Sequence, residues 1–375
     1  MKNRNNGFSF FVEYPLLRAS IIYYMKKILF TGGGSAGHVV PNVAIMEQLL
    51  SDGKTDVCYI GGSGIEKKLI AEWQIPYFEI DAPKLVRGGG FAGFKRNLKI
   101  PTAFFRAVKK AKEGLKTFQP DAVFSKGGYI SLPVVFAAWR LKIPCFAHES
   151  DFSVGLANKL SARFCKRVFT SFPETAKKVP HGVYSGAPIR RAVLSSTKAE
   201  ARRKLNIPFH ETVVLVVGGG SGSKALNAAV RSHLKTLTKK YVVLHVCGAG
   251  NKVESDNPRY QQLEFVKDMG GLYACADIVV SRSGAGAVFE ILALKKRAVF
   301  VPLEGQTRGD QAENAAYFKS RGLCHVLAQK RLDDLPQEIE RTLADKRLDE
   351  RLGQSSVQVG NEMIIDALYG VTAKK

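Results

Sequence analysis

The sequence predicts an α/β protein built from two doubly wound, Rossmann-like domains. Three observations lead there. Short apolar runs alternate with helical stretches, a pattern that gives parallel strands buried on both faces. Two of those runs end in glycine-rich loops that open helices: Ile28–Thr31 into Gly32-Gly33-Gly34, and Thr212–Val217 into Gly218-Gly219-Gly220-Ser221-Gly222. The chain has 375 residues, more than one core usually organises, so two domains are expected.

The elements follow in order. Residues 1–24 fit the pattern poorly. Phe8–Tyr24 is apolar and aromatic but is broken by Glu13 and Arg18, and it has no small-residue cleavage site, so it is a poor signal peptide. Met25 is expected to be the true start, with residues 1–24 a misassigned or disordered extension. Strand Ile28–Thr31 then leads into a helix over Asn42–Leu50, and strand Val57–Ile60 ends at Gly61-Gly62. Ala122–Phe124 precedes Gly127-Gly128-Tyr129, and Pro144–Ala147 precedes His148-Glu149-Ser150. In the second half a helix starts at Lys224, and the strands Val242–Val246, Asp277–Ser281 and Ala298–Pro302 follow. A hinge is expected near Gly186–Ile189, ahead of a charged helix over Lys198–Leu205. The expected units are therefore an N-terminal domain 25–188, a C-terminal domain 189–356, and an amphipathic helical segment 357–375 that packs back on the N-terminal domain.

Composition narrows the function. The chain has 56 Lys and Arg against 33 Asp and Glu, a formal charge of +23. An excess of that size points to an anionic partner: nucleic acid, a membrane surface or phosphorylated ligands. The six cysteines are scattered without Cys-x-x-Cys or zinc spacing and suit a reducing compartment. No run of about 18 apolar residues spans a bilayer. Basic residues concentrate between Lys84 and Lys116, with ten Lys or Arg, one acid, and Phe91, Phe94, Leu98, Phe104 and Phe105 between them. Basic side chains beside aromatics suit an anionic bilayer surface. No nucleic-acid motif accompanies the charge.

Thr31–His38 follows a strand and opens a helix, and Gly32, Gly34 and Gly37 satisfy G-x-G-x-x-G. Such a loop lets backbone approach a ligand and presents amides to phosphate. A dinucleotide site would also need an acid at the tip of the second strand. Here that strand ends Tyr59-Ile60-Gly61-Gly62, which weakens the dinucleotide reading. His38 lies at a strand's carboxyl end, where ligands of open sheets collect, and imidazole transfers protons near neutral pH. Ser281–Glu290 runs from a strand through small residues into an apolar helix. A carboxylate one turn inside it, Glu290, can accept hydrogen bonds from two ribose hydroxyls. Asp310, Gln311 and Asn314 form a further polar group near a helix start.

Six strings in register carry a more specific signal: GGGSAGHVVPNVAI, SKGGYISLPVV, HESDFSVGLANKL, SGAPIRRAV, DMGGLYACADIVVSRSGAGAVFEILAL and RGDQAENA. From Met25 nearly to the C-terminus the chain resembles the bacterial transferases that move N-acetylglucosamine from UDP-N-acetylglucosamine to undecaprenyl-diphospho-muramoylpentapeptide. The resemblance implies a GT-B fold, the donor in the C-terminal half, the acceptor lipid in the N-terminal half, inversion at the anomeric carbon, and reaction in the cleft between.

Carried over by position, the resemblance implies donor contacts from Ser35, Ala36, Gly37, Arg190, Gly220, Ser221, Val266, Ala285, Gly286, Ala287, Val288, Phe289, Glu290, Asp310 and Gln311. Among them Arg190 faces the diphosphate, Val266 holds uracil through its backbone, Glu290 holds the ribose and Gln311 reads sugar hydroxyls. On the acceptor side it implies Gly33, Gly34, Gly127, Gly128, Tyr129, His148 and Glu149. His38 is expected to be the general base, with Asp151 its rival. The chain departs from the pattern at Asp151, where some members carry Asn, and at Gly220, where the family's serine is displaced to Ser221. It also has an extra residue before Asp310-Gln311. No cofactor is required, because no Asp-x-Asp donor motif occurs, although diphosphates often carry magnesium. The expected location is peripheral, on the cytoplasmic face of the cell membrane. Two rivals stay open: another UDP-sugar enzyme of the same fold, such as a glycolipid synthase or a sugar-nucleotide epimerase, and a non-catalytic nucleotide-sugar-binding protein.

Overall fold

A computed structural model describes residues 25–86, 90, 95, 97–304 and 310–371. Residues 1–24 and the aromatic and basic positions Arg87, Phe91, Phe94 and Arg96 lie outside the described residues.

The chain forms two wholly parallel sheets. The first has seven strands: β1 (Lys26–Thr31), β2 (Thr55–Gly61), β3 (Tyr77–Glu79), β4 (Ala122–Ser125), β5 (Cys145–Glu149), β6 (Arg167–Thr170) and β7 (Gly182–Tyr184), in the order β3-β2-β1-β4-β5-β6-β7. The second has six: β8 (Val213–Val217), β9 (Val242–Val246), β10 (Tyr260–Leu263), β11 (Ile278–Ser281), β12 (Arg297–Phe300) and β13 (His325–Val326), ordered β10-β9-β8-β11-β12-β13. The strand order reverses beside β1 in one sheet and beside β8 in the other. These switch points open a crevice at the strands' carboxyl ends. Both glycine loops lie there because each follows the central strand of its sheet.

The central strands are continuous apolar runs because helices cover both faces. Val213 to Val217 is buried throughout, and so is Leu29 with Ile28 and Phe30. Helix Val40–Ser51 carries Pro41 in its first turn, where a missing amide costs nothing, and buries Val43, Ile45, Met46 and Leu49. Helix Ile100–Phe118 buries only Ala107, Ala111, Gly114 and Leu115 and leaves its Lys-rich face outside.

The C-terminal helix Asn361–Tyr369 crosses back. Its Ile364 and Leu368, with Val371, share a core with Ile28, Phe30, Val43 and Ile45. The chain reaches that helix through a bridge between Ala187 and Val359. Asn361, fully buried, then fastens the crossing. Its Oδ1 accepts from Ile189 N–H at 2.9 Å, and its Nδ2 donates to Ile189 O at 2.9 Å and Ala44 O at 3.3 Å. Val357–Gly360 precede the helix rather than belonging to it.

The two domains also meet through aromatic rings. Phe172, which follows β6, is buried in the C-terminal core against Phe289, Tyr317 and Phe318, with ring centroids 4.8 to 5.7 Å away. Burying one such ring stabilises by about 1.5–3 kcal/mol, so the domain contact is substantial on this side.

Candidate functional site

The loops at the carboxyl ends of β1 and β4 are built by close backbone approach. The loop after β1 runs Gly32-Gly33-Gly34-Ser35 into a single 3-10 turn, Ala36–His38. Asn42 donates to Thr31 O and Tyr59 Oη at 3.1 Å each, and Tyr59 Oη donates to Gly32 O at 2.8 Å, so the loop's base is fixed from below. Gly34 N–H donates to Glu66 Oε2 at 3.2 Å. Ser35 Oγ and His38 Nδ1 lie 2.9 Å apart, and the half-buried His38 ring stands at the crevice edge. The second loop, Lys126–Tyr129, packs on the first. Gly128 has φ +82° and lies so close to the Gly33 carbonyl that no side chain fits. Tyr129 lies against Gly34.

Beneath the second loop is a buried polar cluster. His148 is wholly buried: Nε2 lies 3.0 Å from Gly186 O, and burial with the nearby Lys126 ammonium holds its pKa well below the usual imidazole range. Glu149 accepts from Asp151 N–H at 3.1 Å, Gly155 N–H at 2.8 Å and Asn158 Nδ2 at 3.0 Å. The sequence reading expected His148 and Glu149 to touch an acceptor. Both belong to the end of β5, and their hydrogen bonds tie that strand end to the loops that follow β5 and β7. Lys126, also fully buried, lies 3.5 Å from His148 O, and burial lowers its pKa.

Asp151 is half-buried where the domains meet. Asn314, fully buried on helix Asp310–Ser320 of the other domain, donates to Asp151 Oδ1 at 2.9 Å and accepts from Phe152 N–H at 2.9 Å. Burial, with Glu149 adding to it, pushes the Asp151 carboxyl up to about 6. His38 and Asp151 thus sit on different loops of the same crevice.

In the C-terminal domain, Gly220 and Ser221 form the exposed tip of the β8 loop. The buried hydroxyl of that loop belongs to Ser223 instead. It caps helix Lys224–Ser232 by accepting from Leu226 N–H at 3.4 Å, and it accepts from Arg282 Nη2 at 2.7 Å. Arg282 also donates to Val301 O, Pro302 O and Gln329 Oε1 at 2.7 to 3.2 Å, binding three loop ends together. Helix Ala285–Ala293 begins at Gly284 without a side-chain cap, and the space at Gly284 and Gly286 is open. Its first amides therefore have no side-chain cap. Ala285, Val288 and Phe289 point their side chains into the core, while Ala287 packs partly against it. This stretch can meet a ligand only by backbone and small side chains.

Glu290 follows one turn later. Burial raises its carboxyl above the usual range, opposed by the Arg190 guanidinium and by a hydrogen bond from Tyr273. Glu290, Arg190 and Tyr273 therefore form one group, although 100 residues separate Arg190 from Glu290 in the chain. Gln311 Oε1 accepts from Leu303 N–H at 3.0 Å, and Ser283 Oγ donates to Gln311 O at 2.8 Å. Asp310 opens the same helix. Val266 packs on the C-terminal core beside exposed Phe265, and the next residue, Lys267, pairs with Glu72 of the N-terminal domain at 2.9 Å.

Sequence reasoning missed Glu66, Lys126, Asn158, Ser223, Tyr273 and Arg282 as site-building residues. Only Ser223 had a local signal, a serine just before a helix. A separate surface lies on the N-terminal domain. Phe104, Phe105, Phe136, Trp139 and Phe164 form a chain of rings with centroids 5.0 to 5.8 Å apart. Phe105 is 62% exposed and Trp139 45%. Exposed Lys109, Lys110, Arg140 and Arg163 lie on the same elements, and exposed Lys142 follows one of them.

The glycosyltransferase family 28 N-terminal domain matches residues 28–170, and the family's C-terminal domain matches residues 213–362. A relative from Bacillus cereus, named UDP-N-acetylglucosamine–N-acetylmuramyl-(pentapeptide) pyrophosphoryl-undecaprenol N-acetylglucosamine transferase 2, is 41% identical over 82% of this chain and 88% of its own. The transferase of the same name, without the numeral, from Lachnospira eligens is 42% identical over 86% and 92%. Among solved structures, MurG of Acinetobacter baumannii superposes with a TM-score of 0.70 at 26% identity, covering 92% of this chain and 99% of that one. The calicheamicin glycosyltransferase CalG4 shares the fold at 15% identity, with a TM-score of 0.68 over 93% of this chain and 100% of its own.

Proposed function

Because the chain belongs to glycosyltransferase family 28 in both halves, we propose that it moves N-acetylglucosamine from UDP-N-acetylglucosamine to the 4-hydroxyl of the muramoyl-pentapeptide on undecaprenyl diphosphate. The observation that carries this is the 41–42% identity to transferases of that named activity across both domains. The chain is accordingly a UDP-N-acetylglucosamine-dependent glycosyltransferase of the peptidoglycan pathway.

The donor lies on the C-terminal side. Glu290 takes the ribose hydroxyls, the Val266 backbone takes uracil, and Gln311 and Asp310 meet the sugar. The amides at the start of helix Ala285–Ala293, with Arg190 and the Gly220-Ser221 tip, meet the diphosphate as it becomes a leaving group. Ser35, Ala36 and Gly37 approach the donor from across the cleft. The acceptor sugar lies over Gly33, Gly34, Gly127, Gly128 and Tyr129. Its hydroxyl attacks the anomeric carbon from the face opposite UDP, so the configuration inverts. His38 takes the hydroxyl proton and Asp151 is the competing base. Positive charge and amides supplied by the protein replace a resident metal, so a chelator should leave the transfer standing.

The lipid acceptor demands a membrane surface. No helix among the described residues is long and apolar enough to cross a bilayer. The aromatic ridge with its basic flanks supports peripheral docking on an anionic leaflet, on the cytoplasmic face where UDP-sugars are found. Incubating the full chain with radiolabelled UDP-N-acetylglucosamine and a panel of lipid acceptors tests the proposal. Label should move to the muramoyl-pentapeptide lipid. Transfer to diacylglycerol alone, epimerised sugar nucleotide, or binding without turnover would each replace this reading with one of its rivals.

A further inference from the structure

The mechanism above leaves the buried carboxylate of Glu66 without a role. Glu66 sits on the short helix Ile65–Ala71, only 1% exposed. Its Oε2 accepts from Gly34 N–H at 3.2 Å, in the loop after β1. Its Oε1 accepts from Gly62 N–H at 3.1 Å, in the loop after β2. One carboxylate therefore joins the tips of two adjacent strands. The fit leaves no slack: a methyl group added at Gly33 would stand 2.7 Å from Glu66 Cδ, and one at Gly62 2.8 Å from Oε1. The second loop closes on the same point, because a methyl at Gly34 would stand 2.7 Å from Tyr129 Cε1.

We propose that Glu66 is a positioning residue of the acceptor side, fixing the loop that carries His38 in the conformation that receives the acceptor sugar. The argument is physical. Glycine-rich backbone is the most flexible a chain has, so a loop of three consecutive glycines must be held by something outside itself. Hydrogen bonds from backbone amides to an ionised carboxylate are the strong kind, and burial removes the water that would compete. Glu66 makes two of them at the carboxyl ends of the strands, where ligands collect, rather than within the sheet. His38 lies four positions after Gly34, and the 3-10 turn Ala36–His38 transmits the position of one to the other.

This inference rests on the acceptor assignment made above, and its test separates the two. Glu66→Gln keeps the shape, but its amide nitrogen cannot accept from a backbone N–H, so one of the two bonds is lost. In the full chain, kcat/KM for a short-chain lipid-diphosphate acceptor should fall about tenfold or more. UDP binding by calorimetry should be unchanged, because Val266, Glu290 and Arg190, which take the uracil, ribose and diphosphate, lie on the other domain. Glu66→Ala should lose more. Amide hydrogen exchange in 32–38 and 61–64 should be faster in both variants, a readout that needs no acceptor. Failure of the wild-type chain to use any muramoyl-pentapeptide lipid would defeat the acceptor assignment alone, leaving the exchange experiment to decide Glu66. Unchanged exchange in those loops, or an unchanged acceptor kcat/KM, would overturn the inference. So would a parallel loss of UDP affinity and thermal stability, which would assign the carboxylate to folding.

Discussion

Burial and the neighbouring Glu149 push the Asp151 carboxyl up to about 6, and the direction of that shift has a consequence for activity. Above pH 6 the group is mostly ionised and can take the acceptor's hydroxyl proton, as the competing base of the proposal would. Below pH 6 it is mostly neutral, and that advantage is lost. Asp151→Asn is neutral at every pH. The ratio of wild-type to Asp151→Asn activity should therefore fall toward one as pH drops through about 6, and level off above 7. Taking the ratio cancels titrations elsewhere, including that of any other base. A ratio flat across pH 5 to 8 would remove Asp151 ionisation from the mechanism. Glu290 offers a second residue-scale test. It is held between Tyr273 and Arg190, and the proposed function gives it two ribose hydroxyls as partners. Glu290→Ala should cost about 2–4 kcal/mol of transition-state binding. Steady-state kinetics with UDP-N-acetylglucosamine measure this as a loss in kcat/KM, and unchanged kinetics would sink the ribose assignment.

At the scale of elements, what was legible in the sequence followed burial. β1, β2, β8, β9 and β11 are central or near-central strands, and a strand buried on both faces leaves an apolar run. β3, β10 and β13 lie at sheet edges or are two to four residues long, with half-exposed positions such as Tyr77, Gln261 and His325, so no run marks them. The glycine loops were legible because glycine spacing after a strand is a local signal. Glu66, Asn158 and Arg282 were not, because a single polar residue in a string says nothing about which distant loop it will hold. The C-terminal helix was legible as an element, but its staple was not. Asn361 serves Ile189 and Ala44, far off in sequence, and only the folded crossing brings them together. Asn361→Ala should leave the Ile189 amide and carbonyl buried without partners, costing about 1–3 kcal/mol. Chemical denaturation should show a lower midpoint, with the donor kcat/KM of the folded enzyme little changed. An unchanged midpoint would mean that water replaces the staple.

For the whole molecule, the proposed docking would use the charge of +23 and the aromatic ridge together. The proposed reaction joins a soluble donor to a lipid that cannot leave the bilayer, and on that proposal the N-terminal domain would hold its acceptor loops near the surface. Helix Ile100–Phe118 faces outward with Phe105 and its lysines, and Trp139 with Arg140 continues the surface on helix Ser131–Arg140. Each basic side chain near an anionic leaflet contributes about 1 kcal/mol, and the exposed rings add a shallow apolar contact. Neither is enough for permanent anchoring, so binding should be reversible and should weaken as salt screens the charges. Reversing Lys109, Lys110 and Arg140 to Glu should reduce sedimentation with anionic vesicles and should have little effect with neutral ones. The same variant should lose activity on a long-chain lipid acceptor while keeping most of it on a short, water-soluble one, because the crevice residues are untouched. Phe105→Ser should weaken vesicle binding in a way that added salt does not mimic, since its contribution is apolar rather than electrostatic. Equal loss on long and short acceptors would assign the surface to folding or to the crevice. Vesicle binding that survives all four changes would place the membrane contact elsewhere on the domain.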